Sequence, residues 1–332
     1  MAALLWLLLP LAFSIIAAAP PNSGIASTPK SIFLLAGQSN MAGRGGLLFG
    51  KWDGYIPPEC APNPQIRRLG ASLKWEEAHE PLHIDIDVER VCGIGPGMPF
   101  ANSVLRRDEE IGVIGLVPCA VGGSNISQWS RGNPLYNQLI ARARAALHGG
   151  GGEIKAMLWY QGEADTVSLT DATRYMTMVE KFFANVRTDL KMPMLPIFQV
   201  ALASGMNSTG LNLIRKAQLA VNLPNVVTVD ARGLPLQTDG LHLHRDGDLR
   251  LGQMLADAYL HFIGLPIPGR MAVEFDTIAM APASASASAP AAPITLLAAT
   301  TDSTPPACNN QQRYIPQFLL ELLLGRLMCN QY

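Results

Sequence analysis

The feature that most constrains the fold is an alternation of apolar runs with stretches whose apolar residues recur at helical spacing. The apolar runs have the length of strands and cover residues 31–37, 111–118, 153–160, 194–201 and 225–231. The helical stretches cover residues 98–109, 134–147, 170–190, 209–222 and 246–263. Continuously apolar strands must be buried on both faces, so the pattern predicts an α/β fold, a mostly parallel five-stranded sheet between two layers of helices. Such a sheet binds ligands beyond the carboxyl ends of its strands.

Residues 1–19 have the features of a secretory signal peptide. An apolar run ends in the three alanines 17–19, which suit signal-peptidase cleavage. A membrane anchor is the alternative, but Pro10 and the small residues at the end of the run favour a cleaved signal. We therefore expect a secreted, extracellular protein.

The C-terminal part of the chain does not have the composition of a packed core. Residues 281–293 consist of Ala, Ser and Pro, which is typical of a flexible linker. The apolar stretch 318–328 is too short to span a bilayer and carries charges of both signs. We expect one folded domain over residues 30–265, a largely disordered linker and tail over 270–332, and no stable association with a membrane.

Four short polar motifs follow predicted strands or precede the last predicted helix. They are GQSNMAGRG around Ser39, the glycine pair 122–123 followed by SNISQW, WYQGEAD around Gln161, and DGLHL with Asp239 and His242. Each motif alone has a plain structural interpretation: a helix N-cap, a glycine turn, a polar loop, and a cap beside a surface histidine. Together they supply what acyl transfer needs, namely a hydroxyl nucleophile, a base with an orienting acid, and N–H donors for an oxyanion.

As a set, these motifs resemble the SGNH/GDSL hydrolase superfamily. Within it they are similar to the plant carbohydrate acetylesterases related to sialate O-acetylesterase, carbohydrate esterase family six. The resemblance covers about residues 30–265 and implies a flavodoxin-like three-layer fold that hydrolyses O-acetyl esters of a carbohydrate. It also implies that Ser39 is the nucleophile, that His242 rather than His244 is the base, and that Asp239 orients the base.

The resemblance further implies the groups that surround the reacting atoms. The oxyanion donors would be the N–H groups of Ser39 and Gly123, with Gly122 as the adjacent candidate, and the side-chain amide of Gln161. Glu163 is expected to support the loop, and Arg44 and Trp129 are candidates for the substrate pocket, with surface roles as the alternative. A general or lipid esterase and a non-catalytic glycan-binding relative remain alternative functions, although the complete set of motifs argues against lost activity.

The remaining composition limits cofactors and partners. The net charge of −1 leaves no basic excess to neutralise the phosphates of a nucleic acid. No cysteine or histidine spacing resembles a metal site, so we expect no metal. The resemblance implies a reaction that requires no other cofactor.

Cysteines and glycosylation sequons bear on the secreted state. The chain has five cysteines, of which Cys60 and Cys92 flank an irregular insertion and are candidates for a disulfide, whereas Cys119 is expected in the core. The sequon at Asn207 is the favoured site of an N-glycan. The one at Asn125 is less favoured, because a glycan there would crowd the proposed oxyanion loop.

Overall fold

The computed structural model describes residues 31–148 and 152–265. The predicted signal peptide, residues 1–19, and the predicted linker and tail, residues 270–332, lie outside the described residues. Within the described residues, no helix has both the length and the apolar character needed to cross a bilayer.

The described residues form nine strands, seven of which make one sheet. The strands are β1 (Ser31–Gly37), β2 (Leu47–Leu48), β3 (Lys51–Trp52), β4 (Ile66–Leu69), β5 (Trp75–Glu77), β6 (Ile114–Pro118), β7 (Glu153–Tyr160), β8 (Ile197–Ala201) and β9 (Val226–Asp230). The seven-stranded sheet has the order β5-β4-β6-β1-β7-β8-β9, and only the edge pair β4–β5 is antiparallel. The central strand β1 is therefore flanked by β6 and β7, and all of its residues are buried.

Six α-helices alternate with these strands in the described part of the chain. They are α1 (Ser39–Ala42), α2 (Gly97–Leu105), α3 (Pro134–Ala146), α4 (Leu169–Asp189), α5 (Ser208–Ala220) and α6 (Arg245–Phe262). The mixed α/β fold is confirmed, and every predicted strand and helix is present with ends that shift by a few residues. The alternation of apolar runs and helical periods was sufficient to locate them because each is long and strongly patterned.

The predicted number of strands in the sheet, five, is wrong because the irregular insertion adds β4 and β5 at one edge. These strands are short and contain charged residues, so they lack the apolar pattern of buried strands. Arg68 of β4 donates to Glu76 on the neighbouring strand β5 and to Asp85 in the segment that follows β5. A buried arginine with two carboxylate partners is therefore compatible with β4, the strand next to the edge, which the sequence pattern did not indicate.

Aromatic side chains pack the central strands against different helices. Phe33 of β1 lies 4.9 Å from Phe100 of α2 and 5.0 Å from Tyr259 of α6, measured between ring centroids. Trp159 of β7 lies 4.5 Å from Phe182 of α4. Edge-to-face and offset ring contacts of this kind bury large apolar areas, and they hold the strands that lead to the polar motifs in fixed positions.

The predicted disulfide between Cys60 and Cys92 is absent, and both residues are buried free thiols. The Cys92 thiol lies 3.6 Å from an Arg44 nitrogen and 3.7 Å from the carbonyl oxygen of His83. Cys60 is at the end of a 3₁₀ turn next to α2 and belongs to the hydrophobic core. Cys119 also lies in this core, as predicted.

Candidate active site

Ser39 is the first residue of α1 and directly follows the tight turn at the end of β1. Gly37, the last residue of β1, has φ of +134°, and a Cβ atom there would lie 2.0 Å from the carbonyl oxygen of Tyr160. Only glycine fits such a close approach of two backbones. The next residue, Gln38, donates its N–H to the same carbonyl oxygen at 2.9 Å. The turn therefore brings Ser39 to the carboxyl end of the sheet beside the end of β7.

Ser39, His242 and Asp239 form a continuous chain of hydrogen bonds. The Nε2 atom of His242 lies 3.0 Å from Ser39 Oγ, and its Nδ1 lies 2.7 Å from Asp239 Oδ2. The other Asp239 oxygen accepts the backbone N–H groups of Leu241 and His242 at 2.9 and 3.0 Å. With Nδ1–H donated to Asp239, Nε2 can accept the Ser39 hydroxyl proton, which is the arrangement of a nucleophile with an oriented base.

Asp239 is held in its ionised form. Burial opposes its charge, but the hydrogen bonds from the His242 side chain and from the Leu241 and His242 backbone outweigh burial, so the pKa of Asp239 is lowered. The Asp239 side chain is 45% exposed and the His242 side chain 19% exposed, so both lie where a substrate can approach.

His244 occupies a different position. It is the N-cap residue of α6, and its Nδ1 accepts the Asp246 N–H at 3.3 Å. The hydrogen bond to Ser39 is made by His242 and not by His244.

Glu163 lies directly behind the Ser39 turn. Its side chain is fully buried, and Oε1 accepts a hydrogen bond of 2.6 Å from the side-chain amide of Asn40. Burial, opposed by that hydrogen bond, raises the pKa of Glu163 to about 7. The contact with the residue next to Ser39 is consistent with the predicted support of the loop.

The loop that contains Gly122 and Gly123 runs beside the end of β1. Val121 donates its N–H to the carbonyl oxygen of Gly37 at 3.0 Å. Gly123 has φ of +74°, which favours glycine, and its surroundings are open. Within the part of the chain that the structure describes, the N–H groups of Ser39, Gly122 and Gly123 donate to no backbone acceptor. Ser39 and both candidate glycines therefore have backbone donors that are free for a ligand oxygen at this edge.

The predicted role of Gln161 as an oxyanion donor is not supported by its contacts. Gln161 is fully buried, and its Nε2 atom donates to Asp165 Oδ2 at 2.6 Å and to the carbonyl oxygen of Ser124 at 2.9 Å. An amide nitrogen has only two hydrogens, and both are engaged within the protein. Gln161 instead connects the end of β7 to the glycine loop.

Asp165 is a site residue that the sequence interpretation missed. Its two oxygens accept the Ile126 N–H at 3.1 and 3.0 Å, which ties the glycine loop to the segment after β7. Burial, opposed by hydrogen bonds from Gln161 and Ile126, raises the pKa of Asp165 to about 6. The only sequence signal was its place in the motif QGEAD, where it follows Gln161 by four residues.

Arg44 and Trp129 do not line a substrate pocket, and this prediction is corrected. Arg44 is buried in an ion pair with Asp87 at 2.5 Å and lies beneath Gly122, where a Cβ would come within 2.5 Å of its guanidinium. Trp129 is fully buried in the core, and its Nε1 donates to Ser124 Oγ at 3.1 Å. Both side chains are buried and hydrogen-bonded within the protein, so they support the glycine loop from below.

The two sequons differ in the exposure of their asparagines. Asn207 is exposed at the start of α5, where its Oδ1 accepts the Gly210 N–H. Asn125 is half-buried and caps the 3₁₀ helix after the glycine loop, with Oδ1 accepting from Gln128 N and Ser127 Oγ.

No group of three or more His, Cys, Asp or Glu side chains in the described ranges has the arrangement of a metal site.

Comparison with known proteins gives concordant results. Residues 29–261 match the family described as "Carbohydrate esterase, sialic acid-specific acetylesterase". The chain is 53% identical over 239 residues to the probable carbohydrate esterase At4g34215 of Arabidopsis thaliana, which covers 70% of this chain and 91% of that protein.

Solved structures agree with the fold. The crystal structure of the Arabidopsis thaliana protein AT4G34215 superimposes with a TM-score of 0.68 at 52% identity, over 70% of this chain and 98% of that chain. The structure of NanS superimposes with a TM-score of 0.60 at 19% identity, over 72% of this chain and 99% of that chain, and shares the fold.

Proposed function

Because the chain belongs to the carbohydrate esterase family described as sialic acid-specific acetylesterases, we propose that it hydrolyses O-acetyl esters of a carbohydrate with Ser39 as nucleophile. The observation that carries this proposal is the hydrogen-bonded chain Ser39–His242–Asp239, with distances of 3.0 and 2.7 Å. A hydroxyl, an imidazole and an ionised carboxylate in this order are what nucleophilic acyl transfer requires.

In the first half of the reaction, Ser39 Oγ attacks the acetyl carbonyl carbon while His242 Nε2 takes the hydroxyl proton. Asp239 stabilises the resulting imidazolium through Nδ1–H. The negative charge that develops on the carbonyl oxygen is stabilised by the free N–H groups of Ser39 and Gly123. When the tetrahedral intermediate collapses, the ester C–O bond breaks and His242 gives its proton to the departing sugar hydroxyl.

In the second half, water attacks the acetyl group on Ser39. His242 accepts a proton from this water, and the same two N–H groups stabilise the second oxyanion. Cleavage of the bond to Ser39 Oγ, with return of the proton to that oxygen, releases acetate and restores the free enzyme.

We also propose a superfamily, a plant subfamily, secretion and a glycosylation site, which need support beyond membership of the family. We infer an SGNH/GDSL-type hydrolase with three layers, which is supported by the packing of α2 and α6 on Phe33 and of α4 on Trp159. Relatedness to the plant members of carbohydrate esterase family six is supported by the similarity to the Arabidopsis thaliana protein. Secretion rests on the predicted signal peptide, and an N-glycan at Asn207 rests on its sequon and exposure.

Kinetics of the full chain with an activated acetyl ester test the proposal. We expect turnover by the unmodified protein and none above background for Ser39→Ala. Ser31→Ala is the matched control. It removes a buried hydroxyl at the start of β1, the strand whose other end leads to Ser39, and there Ser31 donates to the Ile111 carbonyl. Absence of turnover by the unmodified, folded chain would favour a glycan-binding protein.

A substrate panel tests the carbohydrate part. Acetylated xylan, acetylated pectin and O-acetylated sialic acid are compared with long-chain esters. We expect release of acetate from at least one of the sugars at a higher kcat/KM than hydrolysis of long-chain esters. The reverse order would indicate a general or lipid esterase.

A further inference from the structure

Asn40, the residue after Ser39, contacts both peptide groups that flank His242. Its Oδ1 accepts the Leu243 N–H at 2.9 Å, and its Nδ2 lies 3.4 Å from the Leu241 carbonyl oxygen. Asn40 is buried, and more than 200 residues of chain separate it from this loop. One side chain therefore joins the turn that carries the nucleophile to the backbone on either side of the base.

Glu163 determines which way the Asn40 amide faces. The Asn40 Nδ2 atom donates to Glu163 Oε1 at 2.6 Å. If the amide turned over, its oxygen would face the carboxylate and its nitrogen would face the Leu243 N–H, so two hydrogen bonds would be replaced by repulsion. The Asn40 oxygen is thereby kept as the acceptor for Leu243.

Ser204, which follows β8, holds the same loop from a third strand. Its Oγ donates to the Leu241 carbonyl oxygen at 2.5 Å. The position of the His242 backbone is thus set by side chains that follow β1, β7 and β8, and these strands are neighbours in the sheet.

We propose that Asn40 is a positioning residue for ester hydrolysis, which keeps His242 Nε2 within hydrogen-bond reach of Ser39 Oγ. The inference rests on the proposed function, since it assigns Asn40 to the same reaction. Asn40 is buried behind the turn, so its loss displaces the base without removing a contact with substrate. The effect therefore falls on kcat rather than on KM.

Asn40→Asp tests this with almost no change of shape. The aspartate still accepts the Leu243 N–H through one oxygen. Its second oxygen faces Glu163 Oε1 and the Leu241 carbonyl oxygen, so three acceptors lie together with no proton to form a hydrogen bond between them. We expect kcat to fall on the order of 100-fold at alkaline pH with KM nearly unchanged, as for a base displaced by about 1 Å. Relative to the unmodified protein, the loss should shrink at mildly acidic pH, where one proton shared by the two carboxyl groups restores a donor.

The double variant Asn40→Asp/Glu163→Gln provides the rescue. The glutamine nitrogen can donate to the aspartate, which reverses the direction of the hydrogen bond and restores the pairing. We expect it to recover most of kcat and to remove the added pH dependence. If Asn40→Asp alone does not fold, the folded double variant tests the proposal. A kcat near that of the unmodified protein supports it, and a loss of about 100-fold in kcat overturns it.

Asn102→Asp is the matched control. Asn102 is a buried asparagine on α2 that donates to the carbonyl oxygens of Glu59 and Ala61, away from Ser39. We expect its kcat and pH profile to match those of the unmodified protein. If the unmodified protein hydrolyses no acetyl ester, the proposed function fails; if it does, and Asn40→Asp keeps its kcat and pH profile, only the positioning role fails.

Discussion

Two kinds of carboxyl group lie at the same edge of the sheet. Asp239 is at the surface, 45% exposed, and hydrogen bonds from His242 and the backbone lower its pKa although burial opposes them. Glu163 and Asp165 lie behind Ser39, and burial raises their pKa values to about 7 and about 6. The groups lie at one edge of the sheet, but their surroundings shift their pKa values in opposite directions.

This difference in pKa indicates different roles for Asp239 and for the buried pair Glu163 and Asp165. In the proposed reaction, Asp239 faces a base that becomes a cation, so the reaction uses its charge. Glu163 and Asp165 accept N–H groups of Asn40, Gln161 and Ile126, and acceptance requires an oxygen but no charge. Replacing each carboxyl by its amide, which keeps the shape and removes the charge, separates these roles.

Asp239→Asn should have the largest effect. The amide can present its nitrogen to His242 Nδ1, which favours the wrong tautomer and leaves Nε2 without a lone pair for the Ser39 proton. We expect kcat on a soluble acetyl ester to fall by about 10⁴-fold. Asp246→Asn is the control, because Asp246 is exposed and only approaches His244 at 3.5 Å. Loss of less than about tenfold in Asp239→Asn would contradict a role for its charge.

Asp165→Asn should have an intermediate effect. Asn can accept from Ile126, but its nitrogen would then face the Gln161 nitrogen, so the contact that holds the glycine loop is weakened. We expect kcat to fall between about 10-fold and 100-fold through displacement of the Gly123 donor, with a smaller change in KM. Asp171→Asn, at the exposed start of α4, is the control. An unchanged kcat would show that the Asp165 contacts do not position the loop.

Glu163→Gln should have the smallest effect on activity, because the glutamine oxygen accepts from Asn40 in the same way. We expect the effect of Glu163→Gln to appear in the free energy of unfolding. Since the folded pKa of Glu163 is raised to about 7, the folded state holds this proton while the unfolded chain releases it above about pH 4.5, so unfolding becomes easier as pH rises through this window.

The free energy of unfolding, measured by denaturation across this pH window, checks the prediction. The unmodified protein should lose stability relative to Glu163→Gln from about pH 4.5 to about pH 7, by up to about 3 kcal/mol. Parallel stability curves for the two proteins would mean that Glu163 is not the group with the raised pKa.

The sequence predicted those features whose signal is local. The long apolar strands and the helices were located by periodicity, and the spacing of Asp239 and His242, three residues apart, allows direct contact within one loop. The short strands β4 and β5 were not predicted because they contain charged residues, and the partners of Arg68, Glu76 and Asp85, are brought to it only by folding.

Features that depend on distant contacts were not predictable from the same pattern. Arg44 and Trp129 looked like pocket residues, but Asp87 and Ser124 engage them in the interior. Gln161 has a polar amide in a motif at a strand end, and nothing in its neighbourhood indicated that Asp165 and Ser124 would take both hydrogens. The bond between Asn40 and Leu243 joins segments more than 200 residues apart, which only the folded sheet brings together.

Covalent labelling by a serine-reactive phosphonate tests the central claim most directly. The full chain is incubated with the reagent, and peptide mass spectrometry locates the adduct while esterase activity is followed. We expect one adduct at Ser39 that forms in proportion to the loss of activity, because the proposed base, His242 Nε2, lies 3.0 Å from this hydroxyl. An adduct at another residue that accompanies the loss of activity, or full activity after complete labelling of Ser39, would contradict the account.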